Sequence, residues 1–482
     1  MTDNSGMPVP IASPSLLNRT LRTFRRAWRS TMLSTHAFVE SPDGSLSNSD
    51  AEKLREQFHM CLDARSGEVH ARALAAALGA TYLGLNEEGR RRFAEILGQD
   101  FDNDDSAIEV AVADYQNASE GARNAARRKL RAALVPPRVR LLTRFNELSL
   151  GVKFLVDLRA DIRRMADPGP ALRGLDRDLR ELLISWFDIG FLDFTRITWQ
   201  TPAALLEKLI EYEAVHAIRS WDDLKHRLDE DRRCYAFFHP CMPDEPLIFV
   251  QVALVDGLAP NVYELLDEDA PGAPAESANT AIFYSISNCQ AGLAGVSFGN
   301  FLIKQVVADL GNELPNLKTF STLSPIPGFN KWLKTALADD AADLIPETLG
   351  STLERADDQG RSARDIISQF SLAPQMLADS DVNPALLATL ESTLIRLCAR
   401  YLLIERRGDT ALDRVAHFHL TNGARVERIN WLGDRSEAGL RSSLGLMVNY
   451  RYVLADVDAN HENYVTSGTI AAVTAVRKLL KP

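Results

Sequence analysis

A glycine-rich stretch follows a strand-like segment in the second half of the chain. From Thr280 the sequence alternates in a way that predicts a β-strand. Gly292, Gly295 and Gly299 then come within eight residues, and the segment from residue 301 onward has the apolar spacing of a helix with one buried face. A strand, a glycine-rich turn and a helix together direct backbone N–H groups at an anion, usually a phosphate. We therefore predict a phosphate-binding turn here.

The spacing of these glycines excludes two common phosphate motifs. The intervals are three and four residues, which does not match G-x-G-x-x-G, and no Gly-Lys-Ser/Thr of a P-loop follows. The acetyltransferase-type fold that binds coenzyme A uses the same arrangement, with a Gln/Arg-x-x-Gly-x-Gly/Ala motif. Gln290 and Gly295 match the ends of that motif, whereas Leu293 departs from its middle. The turn by itself favours a coenzyme A site but is a weak signal.

The elements that would position this turn fall into two regions. Residues 1–14 are polar, contain Ser and Pro, and are expected to be disordered. Residues 15–191 have helical apolar spacing almost throughout, which predicts a helical bundle. From residue 192 to 482, strand-like and helix-like segments mix, and the stretches Val415–Leu432 and Ser443–Leu454 predict a final β region. The predicted fold class is α+β, with an all-α domain ahead of a mixed α/β domain.

Charge and cysteine usage limit the partners and the compartment. The formal net charge is −11, so binding of nucleic acid is not expected to be the main activity. The five cysteines are scattered without a C-x-x-C, which favours reduced thiols and a cytoplasmic location. No apolar run approaches the ~18 residues of a membrane span, so no membrane partner is expected. The basic segment Leu16–Ser30 leaves the mitochondrial matrix as the alternative to a cytoplasmic location, although a solvated first helix is favoured.

Several long motifs resemble one known family. In chain order these are FYSISNCQAGLAGVSFGNFLIKQVV, FSTLSPIPGFNKWL, AHFHLTNGARVERINWLGDRS and GLMVNYRYVL. Together they are similar to malonyl-CoA decarboxylases and extend over essentially the whole C-terminal half. The resemblance implies a helical N-terminal domain used in oligomerisation, corresponding to residues 15–191, and an acetyltransferase-like catalytic domain, residues 192–482. It also implies conversion of malonyl-CoA to acetyl-CoA and CO2 with no metal and no organic cofactor, because coenzyme A is part of the substrate. A homo-oligomer, a tetramer by analogy with the family, is the implied assembly.

The resemblance also assigns roles to individual residues. It places the catalytic serine at Ser324, with Ser321 as the weaker candidate, and the catalytic histidine at His419. Tyr452 is a candidate for the acyl pocket. The coenzyme A turn and its neighbouring glutamine are the remaining implied substrate contacts: Gln290, Ala294, Gly295, Val296, Ser297, Phe298, Gly299 and Asn300.

The same side chains also fit simpler roles. A serine before a proline commonly forms a turn or caps a helix. His417 and His419 alternate on a strand-like run, which would place both on one side as a metal pair, but a third ligand at sensible spacing is missing. A Ser-His hydrolase is disfavoured because no G-x-S-x-G elbow is present. Two further functions stay open from the sequence: an acyl-CoA-dependent N-acyltransferase and a non-catalytic scaffold that binds coenzyme A.

Overall fold

The computed structural model describes residues 23–24, 26–28, 31, 44–63, 67–270, 272–296, 301–339, 344–378 and 382–481. The predicted disordered segment 1–14 and the four predicted turn residues from Ser297 to Asn300 lie outside this set. In the described residues no helix is both long and apolar enough to span a bilayer.

Helices make up the first part of the chain. Polar caps begin several of them: the side chains of Ser47, Asn86 and Asp104 each accept a hydrogen bond from a backbone N–H in the first turn. The apolar faces of all but the two helices between residues 105 and 133 pack around Phe58, Phe93 and other large side chains into one core. The helices are α1 (Asn48–Leu62), α2 (Glu68–Gly84), α3 (Glu87–Gln99), α4 (Asp105–Asn117), α5 (Arg123–Ala133), α6 (Pro137–Asn146), α7 (Gly151–Arg164) and α8 (Pro170–Trp186).

An eight-stranded, mostly antiparallel sheet follows in the described part of the chain. Strands β1 to β4 pair in sequence order, β4 pairs with β5 in parallel, and β10 pairs with β5, β6 and β9. A separate two-stranded ribbon contains β7 and β8. The strands are β1 (Asp193–Ile197), β2 (Arg232–Phe238), β3 (Ile248–Val255), β4 (Thr280–Asn288), β5 (Thr319–Thr322), β6 (Ser324–Pro325), β7 (Arg406–Arg407), β8 (Thr410–Ala411), β9 (Arg425–Asn430) and β10 (Met447–Tyr452).

The remaining helices pack with this sheet, most of them in its main core and the three that lie between β1 and β4 in the chain in two smaller groups. They are α9 (Ala203–Tyr212), α10 (Trp221–His226), α11 (Tyr263–Leu266), α12 (Phe301–Glu313), α13 (Phe329–Ala338), α14 (Glu347–Ala356), α15 (Ala363–Leu372), α16 (Pro384–Leu403), α17 (Arg414–Thr421), α18 (Glu437–Ser443), α19 (Val457–Ser467) and α20 (Thr474–Lys478). The α+β fold class is confirmed, with helices before a mixed sheet. The label "acetyltransferase-like" is compatible with this arrangement and stays a prediction.

Two central strands, β4 and β5, separate at the place where the site is predicted. Strands β4 and β5 run parallel from the Thr280–Thr319 pair to the Phe283–Thr322 pair. Beyond Phe283, β4 continues to Asn288 beside β3, whereas the chain after β5 turns along β10 to form β6. The ends of β4 and β5 therefore lead the chain in two directions, one toward the glycine-rich turn and one toward Ser324.

Candidate active site

The glycine-rich turn begins directly after β4, as predicted. Gln290 is buried and its side-chain amide donates to the Pro246 carbonyl at 2.9 Å, which ties the turn to the segment before β3. A single 3-10 turn, Ala291–Leu293, follows. Gly295 has φ +76°, a left-handed conformation that favours glycine, and Val296 is buried. Of the predicted coenzyme A contacts, Gln290, Ala294, Gly295 and Val296 can thus be placed.

Ser324 lies in β6, where it pairs with Val448 of β10. It is 5% exposed, and its hydroxyl donates to the Thr322 hydroxyl at 2.8 Å. The weaker candidate, Ser321, instead donates to the Tyr450 carbonyl at 3.0 Å. That bond joins β5 to β10 and gives Ser321 a structural role in the sheet.

His419 reaches Ser324 from a helix, and the predicted β run over Val415–Leu432 is therefore wrong in its first half. Residues Arg414–Thr421 form α17, and only Arg425–Asn430 form a strand. The alternation of His417 and His419 resembles a strand, but Asp413 caps a helix by accepting from the Ala416 N–H at 2.9 Å. His419 Nε2 lies 3.0 Å from Ser324 Oγ, although 95 residues separate them in the chain.

The helix also removes the basis for a histidine metal pair. Residues two apart on a helix point in different directions. His417 Nδ1 bonds to the Tyr464 hydroxyl at 2.8 Å, whereas His419 Nδ1 bonds to the Tyr452 hydroxyl at the same distance. In the part of the chain that the structure describes, no group of three or more potential metal ligands occurs.

Burial sets the protonation of the groups around His419. The imidazole is 3% exposed, and burial lowers its pKa to about 3, so it is neutral near pH 7. Burial also raises the pKa of Tyr452 well above its usual value, so the phenol keeps its proton. The phenol then donates to Nδ1, which places the imidazole hydrogen on Nε2, facing Ser324. The result is a directed chain from Tyr452 through His419 and Ser324 to Thr322.

Tyr450 and Asp413 fix the position of this chain. The Tyr450 ring stacks on the His419 ring, with centroids 4.7 Å apart and planes 26° apart. Asp413 caps α17 and also accepts from the Gly328 backbone N–H and, at 3.3 Å, from the Tyr401 hydroxyl. Gly328 follows the Ser324 turn, and a Cβ there would come within 2.1 Å of the Tyr401 oxygen. One carboxyl therefore connects the helix that carries His419 to the loop that follows Ser324.

Three residues join the site without having been predicted from the sequence: Thr322, Tyr450 and Asp413. Thr322 and Ser324 are two residues apart at a strand end, and this spacing indicates from the sequence that their hydroxyls lie on the same side. Asp413 lies three residues before Ala416, and an aspartate at such a position indicates from the sequence that a helix begins there. Tyr450 lies on β10, and its stacking on a helical histidine depends on tertiary structure alone.

Comparison with known proteins matches nearly the whole C-terminal region to one family. Residues 190–482 match the model of the malonyl-CoA decarboxylase C-terminal domain, and residues 101–187 match that of the N-terminal domain. The chain is 40% identical to the mitochondrial malonyl-CoA decarboxylase of Anser anser anser over 407 residues, covering 81% of this chain and 80% of that protein. It is 39% identical to the mitochondrial enzyme of Mus musculus over 417 residues, covering 83% of each.

Solved structures agree with these matches. The crystal structure of malonyl-CoA decarboxylase from Rhodopseudomonas palustris superposes with a TM-score of 0.78 at 43% identity, covering 89% of this chain and 99% of that one. The structure from Agrobacterium vitis gives a TM-score of 0.78 at 39% identity, covering 89% and 100%.

Proposed function

The chain belongs to the malonyl-CoA decarboxylase family, and from this membership and the geometry above we propose that Ser324 and His419 catalyse decarboxylation of malonyl-CoA. The products are acetyl-CoA and CO2. The observation that carries the residue assignment is the 3.0 Å contact between Ser324 Oγ and His419 Nε2, made by two buried groups 95 residues apart.

The reaction explains why a hydroxyl and an imidazole suffice. When the bond between the carboxylate carbon and the α-carbon breaks, its electron pair moves into the thioester as an enolate and CO2 leaves. Donors aimed at the thioester oxygen stabilise that charge. A new C–H bond then forms by proton transfer to the α-carbon. Because the thioester is itself the electron sink, we propose that no organic cofactor or metal takes part.

Ser324 and His419 have complementary roles in this scheme. Ser324 holds the malonyl head group by hydrogen bonding, and His419 binds it and supplies or relays the proton. Tyr452 donates to Nδ1 of His419 at 2.8 Å, which keeps the imidazole hydrogen on Nε2, facing Ser324. Tyr452 is thus proposed to orient His419 at the wall of the acyl pocket.

The glycine-rich turn is proposed to bind the other end of the substrate. The predicted contacts run from Ala294 to Asn300, with Gln290 supporting the turn from the end of β4. Support comes from the position of the turn at the end of β4, whose neighbour β5 leads toward Ser324. Coenzyme A bound at the turn would direct its acyl arm between the parted strands toward the Ser–His pair.

Mass spectrometry of malonyl-CoA incubated with the protein alone tests this function. We expect acetyl-CoA and CO2 without any added acceptor. An acyltransferase would leave malonyl-CoA unchanged until an amine is supplied, and a scaffold would bind coenzyme A without turnover. Either of these two results would refute the decarboxylase assignment.

We also propose that the protein is a homo-oligomer, a tetramer by analogy with the family, and that the hairpin of α4 and α5 contributes to its interface. Within these two helices, only the alanines Ala111 and Ala126 are buried among the residues described. Val110 is 63% exposed and Leu134, just after α5, is 52% exposed. Helix α4 carries acids and α5 is rich in arginine, so two copies could pair each α4 with the other's α5.

Light scattering after size exclusion can test the hairpin. We expect Val110→Asp to lower the molar mass of the particle. Val69→Asp is the matched control, because Val69 is 71% exposed on α2, outside the hairpin. An unchanged mass for the Val110 variant, or an equal loss for both, would contradict a hairpin interface.

For the compartment, we propose a cytoplasmic location, with the mitochondrial matrix as the alternative suggested by the names of the animal relatives. The structure describes part of the basic segment Leu16–Ser30. Trp28 is fully buried and donates to the Ser149 carbonyl at 2.7 Å, so this residue belongs to the helical core. Cleavage of the segment as a transit peptide would remove the Trp28 side chain from the helical core. Fractionation of cells that express tagged protein, with N-terminal sequencing, tests the proposal.

A further inference from the structure

A buried arginine from the helical region holds the backbone of the glycine-rich turn. Arg159 lies on α7, is 0% exposed, and donates through one terminal nitrogen to the carbonyls of Gly292 at 2.6 Å and Ala294 at 2.8 Å. Its Nε donates to Asp176 of α8 at 2.9 Å. A buried guanidinium needs an acceptor for each donor, and here two of these acceptors are turn carbonyls from the other part of the molecule.

A second arginine and a close backbone approach hold the same turn. Arg180 of α8 is exposed, and its Nε donates to the Gly295 carbonyl at 3.0 Å. At Gly292 a Cβ would come within 1.8 Å of the Val156 carbonyl oxygen, so the turn rests directly on the backbone of α7. Leu293 and Val296 complete the contact in an apolar group with Val156 and neighbours from both helices.

These contacts have an electrostatic consequence for a bound anion. When the turn carbonyls accept from arginines on one side, their negative ends point toward the helices and away from the opposite side of the turn. Arg180 also brings a positive charge beside the turn in a chain of net charge −11. Both effects favour a phosphate at the turn.

We propose that Arg159 and Arg180 are positioning residues for the phosphates of coenzyme A, so that the helical region forms a functional part of the substrate site. Arg159 sets the conformation of the turn, and Arg180 fixes Gly295 and contributes positive charge. This inference rests on the proposed function, because it takes the glycine-rich turn as the coenzyme A site. We therefore expect replacement of either arginine to weaken binding of the phosphate-bearing end of the substrate and to leave the rate of the chemical step at Ser324 unchanged.

Two substrates distinguish this role from a general loss of structure. Malonyl-CoA carries the phosphates, whereas malonyl-pantetheine has the same thioester and lacks them. For Arg159→Met and Arg180→Met we expect KM for malonyl-CoA to rise about tenfold, as for the loss of a hydrogen bond to a charged group, with kcat little changed. For malonyl-pantetheine we expect kcat/KM to match the wild type. Arg180 is exposed, so its variant keeps the core even if Arg159→Met unfolds.

Arg163→Met is the matched control. Arg163 is one turn further along α7, and it forms an ion pair with Asp176 at 3.9 Å. We expect its replacement to leave KM for malonyl-CoA near the wild-type value. Equal losses with both substrates, or an equal KM increase in the Arg163 variant, would overturn the positioning role.

Calorimetric titration with coenzyme A separates this inference from the proposed function. Binding should weaken about tenfold in Arg180→Met whether or not the protein turns over substrate. If wild type binds coenzyme A but releases no CO2, the decarboxylase assignment fails while the arginine role can still be measured. If Arg180→Met binds coenzyme A as tightly as wild type, the inference is wrong whatever the activity.

Discussion

The Ser–His pair and the glycine-rich turn are built on opposite physical principles. Ser324 and His419 are buried, uncharged near pH 7, and bonded only to partners from the α/β region in the structure described. The turn is held by charged arginines from the helical region, one of them exposed. Hydrogen bonds that stabilise developing charge are stronger in a buried site, whereas recognition of phosphates benefits from positive charge. Substitutions in the Ser–His pair should therefore lower kcat, whereas substitutions around the turn should raise KM.

The largest expected effect comes from His419→Asn. Removing the group that supplies or relays the proton should lower kcat by about 10²–10⁴-fold, with KM changed far less. CO2 release at saturating malonyl-CoA measures it. His417→Asn is the matched control, since His417 bonds to Tyr464 and should be dispensable for the reaction. Near-normal kcat in the His419 variant would remove it from the mechanism.

Tyr452→Phe should have the next largest effect. The variant keeps the ring and loses the 2.8 Å hydrogen bond to His419 Nδ1, so kcat should fall about tenfold through a misoriented imidazole. The lost bond stabilised the neutral ring, so the pKa of His419 should rise. NMR titration of the imidazole tests this shift. The comparison variant is Tyr464→Phe, which removes the equivalent bond to His417, and a loss of kcat as large as that of Tyr452→Phe would contradict the assignment.

Asp413→Ala tests the link between the helix of His419 and the loop after Ser324. Losing the cap should lower the free energy of unfolding by about 1–2 kcal/mol. It should also lower kcat several-fold, because the Ser–His distance is no longer fixed. Asp413→Asn retains one oxygen for the cap but replaces the second acceptor, which faces the Tyr401 hydroxyl, with an NH2 donor, so it should keep more stability than Asp413→Ala and still lose part of kcat. Denaturant unfolding and steady-state rates measure the two effects, and a stability loss with unchanged kcat would limit Asp413 to a structural role.

The last prediction concerns acid stability and not the rate of the reaction. The pKa of His419 is about 3 when folded and near 6.5 when unfolded, so between these values only the unfolded chain binds the proton. Stability from this residue is therefore fully present above pH 6.5 and is lost as pH falls toward 3, by up to about 1.4 kcal/mol per unit. In His419→Asn the free energy of unfolding should depend less steeply on pH over this range. An identical slope in both proteins would contradict a buried neutral imidazole.

The sequence was sufficient for the strand, the turn and the following helix around Gly292, because local periodicity and glycine spacing determine them. The long motifs that resemble the family also identified Ser324 and His419 as candidate catalytic residues. The segment Arg414–Thr421 was wrongly predicted as a strand, because its two alternating histidines fit the spacing of a strand and eight residues are too few to exclude it. The feature that decides for a helix is one residue, the N-cap Asp413. The bonds from Arg159 to Gly292 and Ala294 span more than 130 residues, and no local pattern encodes them.

The coupling of Ser324 and His419 is most directly tested by a double-mutant cycle. The rate of CO2 release from malonyl-CoA would be measured for wild type, Ser324→Ala, His419→Asn and the double variant. If the two side chains act as one unit, the double variant should be about as slow as the slower single variant. If the two losses in kcat multiply instead, the residues act independently, and a coupled Ser–His pair is contradicted.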